Sequence, residues 1–425
     1  MALAALAVGF AVVAVWGKRL DDANPLMFIS ASPWIGRYAI LALDGGWIWL
    51  VPPAVLAAGL IAWWPAACNR LPAHLLAPVA GLVGVAWAVA LQATRGWFAV
   101  TRPLAHPAEY LAAVDRVGSP GRFLQTFVEQ VPTYPIHVQS HPPGQVLLLW
   151  TLDRVGLGGT GPASVLTFLA TAVATAAVLT VVRWEAGLEV ARRAAVFVGL
   201  TPAVIWVATS TDPVFAGLAA ASVVLAFAAE RAGPGRPAAV RAALAGLVAG
   251  LAVLFTYAAP LFLAPALVPA WRLVRDRRWV PVAAAVVAGV APVALTAIAG
   301  FNLLEGWSAT AEAYWGGVAD HRPYRFFVVA NPAILGVALG PAVVAGLARG
   351  RSGRLTPPLA LAGAAVAVAN LTGLSKGEVE RIWFPLMPWL AVAAAPLATS
   401  NTARLWLASQ LATAATIQVV LRSPW

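Results

Sequence analysis

Apolar runs separated by short polar gaps occupy nearly all of this chain. The first are Ala2–Trp16, Trp47–Trp64 and Leu75–Leu91, and after a long polar interval come Gly144–Leu157, Ser164–Val182, Ala194–Thr209, Val214–Ala229, Ala242–Tyr257, Leu261–Ala270 and Val280–Gly300. A second polar interval, Phe301–Arg325, precedes Phe326–Leu347, Leu359–Leu371, Trp383–Leu397 and Leu405–Leu421. Judged by the roughly 20 residues a helix needs to cross a bilayer, the pattern predicts about twelve to fourteen transmembrane helices. The expected fold is all-α and polytopic, one integral membrane domain over residues 1–425. Its parts are N-terminal helices in 1–91, a long loop in 92–142, and further helices in 143–425 with a second loop at 301–325. No polar stretch is long enough for a soluble domain, and the GKRLDD after the first run has no small-residue cleavage pattern, so that run reads as a retained helix.

Composition supports this reading. Of 425 residues, 61% are hydrophobic and 11% charged, whereas a soluble domain carries about 25% charged residues. The net charge of +11 does not indicate nucleic acid, because the arginines fill short gaps between apolar runs, where cytoplasmic loops collect positive charge. Arg231, Arg236 and Arg241 fall in one gap, Arg272, Arg275, Arg277 and Arg278 in the next, and Arg349, Arg351 and Arg354 in a third. Placing all of these inside puts the 92–142 loop, the 301–325 loop and the SKGEVER gap together outside, so the loops are expected to be extracytoplasmic and to carry interfacial helices. Arg183, Arg192 and Arg193 fit only if Gly144–Leu157, too short to cross, is partly re-entrant. Cys68 is the single cysteine, which excludes a disulfide framework and a Cys-rich metal site.

Chemistry is expected where ionisable groups gather. The stretch His106–Leu149 holds three of the five histidines together with Glu109, Asp115 and Glu129, and reads as a catalytic loop. Glu109 and Asp115, six residues apart, would lie about 120° from eclipsed on one helix, so one catalytic carboxylate leaves the other structural. Either also suits a solvated interfacial helix, a setting that Trp97, Phe98, Tyr110, Phe123, Phe127 and Tyr134 share. His141 opens the HPPG segment, where a capping role competes with substrate contact. Asp212, before Pro213, carries the signature of a helix N-cap, and a helix start facing outward is also a natural phosphate site. Lys376, Glu378, Glu380 and Arg381 read either as a solvated turn or as a charged site. The acids and histidines lack metalloenzyme ligand spacing; no cofactor is implied, and dependence on a divalent ion stays open.

The ordered set Glu109-Tyr110, His141-Pro142-Pro143, Arg192-Arg193, Pro202 and Asp212, followed by SKGEVERIWFPLMPWL, resembles the GT-C superfamily of glycosyltransferases, which includes protein O-mannosyltransferases and aminoarabinose transferases. The resemblance covers about Thr94 to Trp389. It departs from the family pattern at Gly144, where Leu is usual, at the acidic pair, reduced here to Ala108-Glu109, and in two extra runs before Leu75. It implies transfer of a sugar from a polyprenyl-phosphate donor to a glycan or lipid acceptor, outside the cytoplasmic membrane and among its lipids. Glu109 or Asp115 would be the general base; Lys376 and Arg381 would meet the leaving phosphate, with Tyr324 and Arg325 in support. Tyr110, His137, His141, Asp212 and Glu380 complete the candidate substrate-binding set. The competing readings are a transporter or lipid flippase, and a ligase of lipid-linked glycans or a non-catalytic scaffold subunit. A transporter predicts charges in the middle of apolar runs and paired halves; neither is visible here.

Overall fold

A computed structural model describes residues 1–39, 46–350, 356–399 and 401–423. Seven helices in it are long and apolar enough to cross a membrane: Ala2–Ala23, Trp47–Arg70, Leu76–Arg95, Thr160–Ala186, Asp212–Arg231, Arg236–Phe255 and Trp279–Ile298. The bent pair Tyr324–Leu339 and Pro341–Ala348, at 112°, brings the number to eight if it is one span. Apart from a two-residue antiparallel pairing of Arg37–Tyr38 with Leu421–Arg422, the described residues contain no strands beyond one isolated bridge. The chain is therefore an all-α polytopic membrane protein, with fewer straight spans than its apolar runs suggested.

Proline explains much of the difference. The run 194–209 folds as short turns, Val198–Leu200 and Pro202–Trp206, and the run 383–397 as Phe384–Leu386, Met387–Ala391 and Val392–Leu397, with prolines at 202, 385, 388 and 396. Each proline removes a donor and clashes with the preceding turn. Both segments are almost wholly buried, which is where interrupted backbone is tolerated at membrane depth. Side chains from neighbouring helices bind carbonyls in and beside the first: Trp64 Nε1 donates to Ala195 O at 3.2 Å and Gln92 Nε2 to Ile205 O at 3.2 Å. At the 112° bend, Gly340 has φ +84°. There Gln410 donates to Leu339 O at 2.9 Å and accepts from Ala342 N at 3.1 Å, bonding the backbone on both sides of the break.

Helices approach closely where the contact residues are small. A side chain at Gly246 or Gly250 would strike the backbone of Ala285 or Gly289, and one at Gly81 or Gly84 that of Ala172 or Gly199. Such surfaces suit membrane helices, whose association relies on packing and not on exclusion of water. The Ala2–Ala23, Trp47–Arg70 and Trp279–Ile298 helices are mostly unburied, exposing Val8, Val12, Val55, Trp63, Val287, Val290 and Ile298. These are the faces lipid would cover.

The two ends of the bundle differ in charge. At one, arginines close helix termini: Arg183 bonds Ala73 O at 2.8 Å, Arg278 bonds Glu230 O at 2.6 Å and Ala232 O at 2.7 Å, and Arg272 pairs with both oxygens of Glu185. Arg192 reaches Leu71 O from the same side. The Gly144–Arg154 helix, 11 residues long, starts against Leu254 and Phe255 at the other end and runs into Thr160, where the next long helix begins there too. Both its ends thus stay opposite the arginines, as the re-entrant reading required. Arg351 and Arg354 lie outside the described residues. At that opposite end the polar intervals meet: the Pro120–Gln130 helix packs on the Leu303–Trp315 helix, Thr310 bonds Gln139 O at 2.8 Å, and Tyr314 joins Gly373 and Lys376.

Candidate functional site

Glu109 precedes the 3₁₀ helix Tyr110–Arg116 in extended conformation. A backbone bond from His137 N to Ala108 O, 3.2 Å, fastens the His137 segment beside it. Glu109 is only 1% exposed, and its Oε1 lies 2.8 Å from His137 Nδ1. That approach is off the ring N–H direction, and Oε2 has no hydrogen-bond partner among the described residues. A carboxylate so deeply buried, with neither oxygen hydrogen-bonded among the described residues, is costly to maintain unless something else uses it.

On its far side, His137 Nε2 meets Arg381 Nη2 at 3.0 Å. Arg381 is a hub. Its Nη1 donates to Asp212 Oδ2 at 2.7 Å and its Nη2 to Glu378 Oε2 at 2.6 Å. Ser210 Oγ adds a 3.0 Å bond to Asp212, and Arg322 reaches Glu378 Oε1 at 3.3 Å and Lys376 O at 2.8 Å. The network gathers residues from five separate segments: 109, 137, 210–212, 322 and 376–381. Burial opposes the charged form of both groups, yet the neighbouring arginines hold the Glu378 carboxyl below its usual range, and Asp212 and Glu378 hold the Arg381 guanidinium above its own.

Aromatic residues close the site. The Tyr110 ring lies 6.3 Å from that of His137 and 5.8 Å from that of His141, its hydroxyl has no hydrogen-bond partner among the described residues, and burial pushes its phenol well up. His141 bonds His137 O through Nδ1 at 2.9 Å, with its ring 5.1 Å from that of Phe215. Burial drives its imidazole down to about 4. Lys376, 9% exposed, donates to Ala319 O at 2.8 Å and sits 4.7 Å over the Trp315 ring. Burial lowers its ammonium; it has no ion pair with a carboxylate among the described residues.

Glu109, Tyr110, His137, His141, Asp212 and Arg381 come together as one site. Asp115 does not join it. It is exposed and lines a separate pocket of about 320 Å³ with Asp153, Leu149 and Thr160. Tyr324 is exposed and bonds Leu371 O at 2.9 Å, and Arg325 beside it is exposed. The arginine that enters is Arg322, across Pro323. Likewise Glu378 meets Arg381, not Glu380, whose buried carboxyl has an oxygen with no hydrogen-bond partner among the described residues and is pushed up to about 7 by burial. Asp212 does not cap its helix: Thr211 occupies that position without a side-chain bond, and the aspartate turns to Arg381. Nor does His141 cap the helix behind it, whose N-cap is Pro143. Arg322 and Ser210 were not in the candidate set read from the sequence, and Glu378 appeared there only as a member of the charged turn, with Glu380 preferred as the substrate contact. Arg322 carried no signal that ranked it above Arg325. Glu378 sits at φ +60° after Gly377 at φ +91°, a left-handed turn that side-chain periodicity does not report. No group of three or more His, Cys, Asp or Glu able to hold a metal occurs among the described residues.

The comparisons with known proteins add no relative: no family model matches the chain, and no curated protein matches it significantly.

Proposed function

We propose that the chain is a membrane glycosyltransferase of the GT-C kind, moving a sugar from a polyprenyl-phosphate donor to a glycan or lipid acceptor on the extracytoplasmic face of the cytoplasmic membrane. The observation that carries the proposal is the buried Glu109 carboxylate with an unengaged Oε2, at the end of the bundle opposite the arginine clusters. The positive-inside rule supports reading that end as the outer one. Oε2 takes the proton from an acceptor hydroxyl, the acceptor oxygen forms its bond to the anomeric carbon, and the bond from that carbon to the phosphate oxygen breaks, its electron pair leaving on the lipid phosphate. Lys376 is the cation suited to that phosphate, since it alone in the candidate set is buried without a carboxylate partner among the described residues. Arg381 is already committed to Asp212 and Glu378, so it shapes the site instead of receiving the leaving group.

A transporter would need its ionisable groups near the membrane midplane. Here Asp212 opens its helix and Arg381 belongs to the four-residue helix Val379–Ile382. The test is release of polyprenyl phosphate from a polyprenyl-phosphate sugar by purified protein. We expect Glu109→Gln to fold and bind donor, with turnover reduced at least about a hundredfold. Full turnover by that variant removes Glu109 as base, and absence of release by wild-type protein with a panel of sugars removes the transferase reading.

A further inference from the structure

We propose that His137 is a positioning residue and not a substrate ligand: Arg381 locks its ring in the tautomer with the proton on Nδ1, turned toward Glu109. The argument is one of donor and acceptor inventory. A guanidinium donates and never accepts. With Arg381 Nη2 3.0 Å from His137 Nε2, Nε2 must be the accepting nitrogen and carries no proton. In the neutral ring the proton then sits on Nδ1, which faces Glu109 Oε1 at 2.8 Å.

The guanidinium cannot easily release the ring, because Asp212, from another segment, and Glu378, three residues before it, hold it at 2.7 and 2.6 Å. Charged or titratable groups meet His137 from every side. Glu109 and Tyr110 belong to the polar loop, His141 bonds His137's own carbonyl, Arg381 and Glu378 come from the SKGEVER segment, and Asp212 opens its helix. The contact of Arg381 to Nε2 is one that dictates a tautomer, since a guanidinium can only donate.

The consequence for Glu109 rests on the glycosyltransferase reading. Neither Glu109 oxygen has a hydrogen-bond partner among the described residues; with Oε1 facing His137 Nδ1 at 2.8 Å, Oε2 is the oxygen left for the acceptor. The present approach to Nδ1 lies off the N–H line, the loose geometry that catalytic contacts commonly show before substrate binds and tightens them.

The experiment uses full-length protein in lipid nanodiscs, labelled with ¹⁵N-histidine. With five histidines in the chain, His137→Asn assigns the resonance. At neutral pH the His137 ring should show a protonated Nδ1 and an unprotonated Nε2, and the same pattern should persist in Glu109→Gln, because Arg381 and not Glu109 sets it. A ring protonated on Nε2, alone or together with Nδ1, overturns the proposal. A kinetic arm separates positioning from binding. His137→Asn, which keeps an N–H donor near the Nδ1 position, should hold transfer within about tenfold of wild type, while His137→Ala loses roughly a hundredfold in kcat with donor KM unchanged. A raised KM with kcat intact in the alanine variant would make His137 a substrate ligand and sink the idea. If His137→Ala fails to fold, the asparagine variant and the resonance pattern decide. If wild-type protein transfers no sugar, the functional reading fails while the resonance pattern still decides the tautomer.

Discussion

The two ends of the bundle both collect arginine, yet they use it in opposite ways. At the basic end Arg183, Arg192, Arg231 and Arg278 donate to backbone carbonyls near helix ends, satisfying acceptors that a helix C-terminus leaves open and complementing its dipole. Arg231 is exposed there and the other three are only partly buried. At the loop end Arg322 and Arg381 are buried and bond carboxylates, an imidazole and only a few carbonyls. Arginines of the first kind hold up architecture cheaply. The second kind loses hydration that its ion pairs only partly restore, and such a cluster is more often retained for chemistry than for stability.

The sharpest way to break that contrast is to remove the hub. Arg381→Leu leaves Asp212 and Glu378 buried without their principal cation, and loss of one partner from a buried pair costs about 3 to 5 kcal/mol. Melting of detergent-solubilised protein should show this. Adding Asp212→Asn to Arg381→Leu should recover part of the loss, because the two positions are coupled directly. An unchanged melting point in the single variant would mean that the cluster is solvated and resembles the basic end.

Lys376 carries the next largest effect. Its ammonium lacks a carboxylate among the described residues, so Lys376→Ala relieves a desolvated charge and should leave stability near wild type. Donor affinity should fall by about 2 to 3 kcal/mol, the loss of a charge-assisted contact. Equilibrium binding of a polyprenyl-phosphate sugar decides between this and a Lys376 that serves only the Leu303–Trp315 helix.

His141 sharpens the comparison through pH. Its imidazole is lowered to about 4 by burial, below the ordinary value near 6.5 for the unfolded chain. Between those values the unfolded state binds the extra proton, so this group favours the fold above about pH 6.5 and loses its contribution as pH falls toward 4. The loss should be on the order of 1 to 3 kcal/mol. Melting curves of His141→Asn should be flatter than wild type across that window; parallel curves would show that other groups govern acid sensitivity.

How much of this could be read from residues alone differs between fold and site. Apolar run length showed the membrane class, and the shortness of Gly144–Leu157 with arginine placement anticipated a segment that does not cross. Periodicity was mute about the runs containing Pro202, Pro385, Pro388 and Pro396, because a proline-broken apolar segment has the composition of a straight span. Within the site, Glu109, His137, His141, Asp212 and Arg381 were visible as polar residues in apolar surroundings. The choices of Arg322 over Arg325 and of Glu378 over Glu380 were not. Each turns on the backbone direction of a loop, set by Pro323 and by left-handed Gly377 and Glu378, and no spacing rule reaches such a loop.

The smallest expected effect is the one that separates the two carboxylates of the polar loop. Glu109 and Asp115 lie six residues apart, and the 3₁₀ helix between them turns one into the buried network and the other outward. Asp115 is exposed, beside Arg116, which itself bonds Thr133 O at 2.7 Å. It makes no ion pair within 4.0 Å among the described residues, so neutralising it strands no partner. A surface substitution of this kind changes stability by no more than about 0.5 kcal/mol. Asp115→Asn should therefore melt with wild type and retain most transfer activity. If it is instead the inactive variant while Glu109→Gln stays active, the base lies at the pocket Asp115 shares with Asp153, and the buried network around Arg381 is a scaffold.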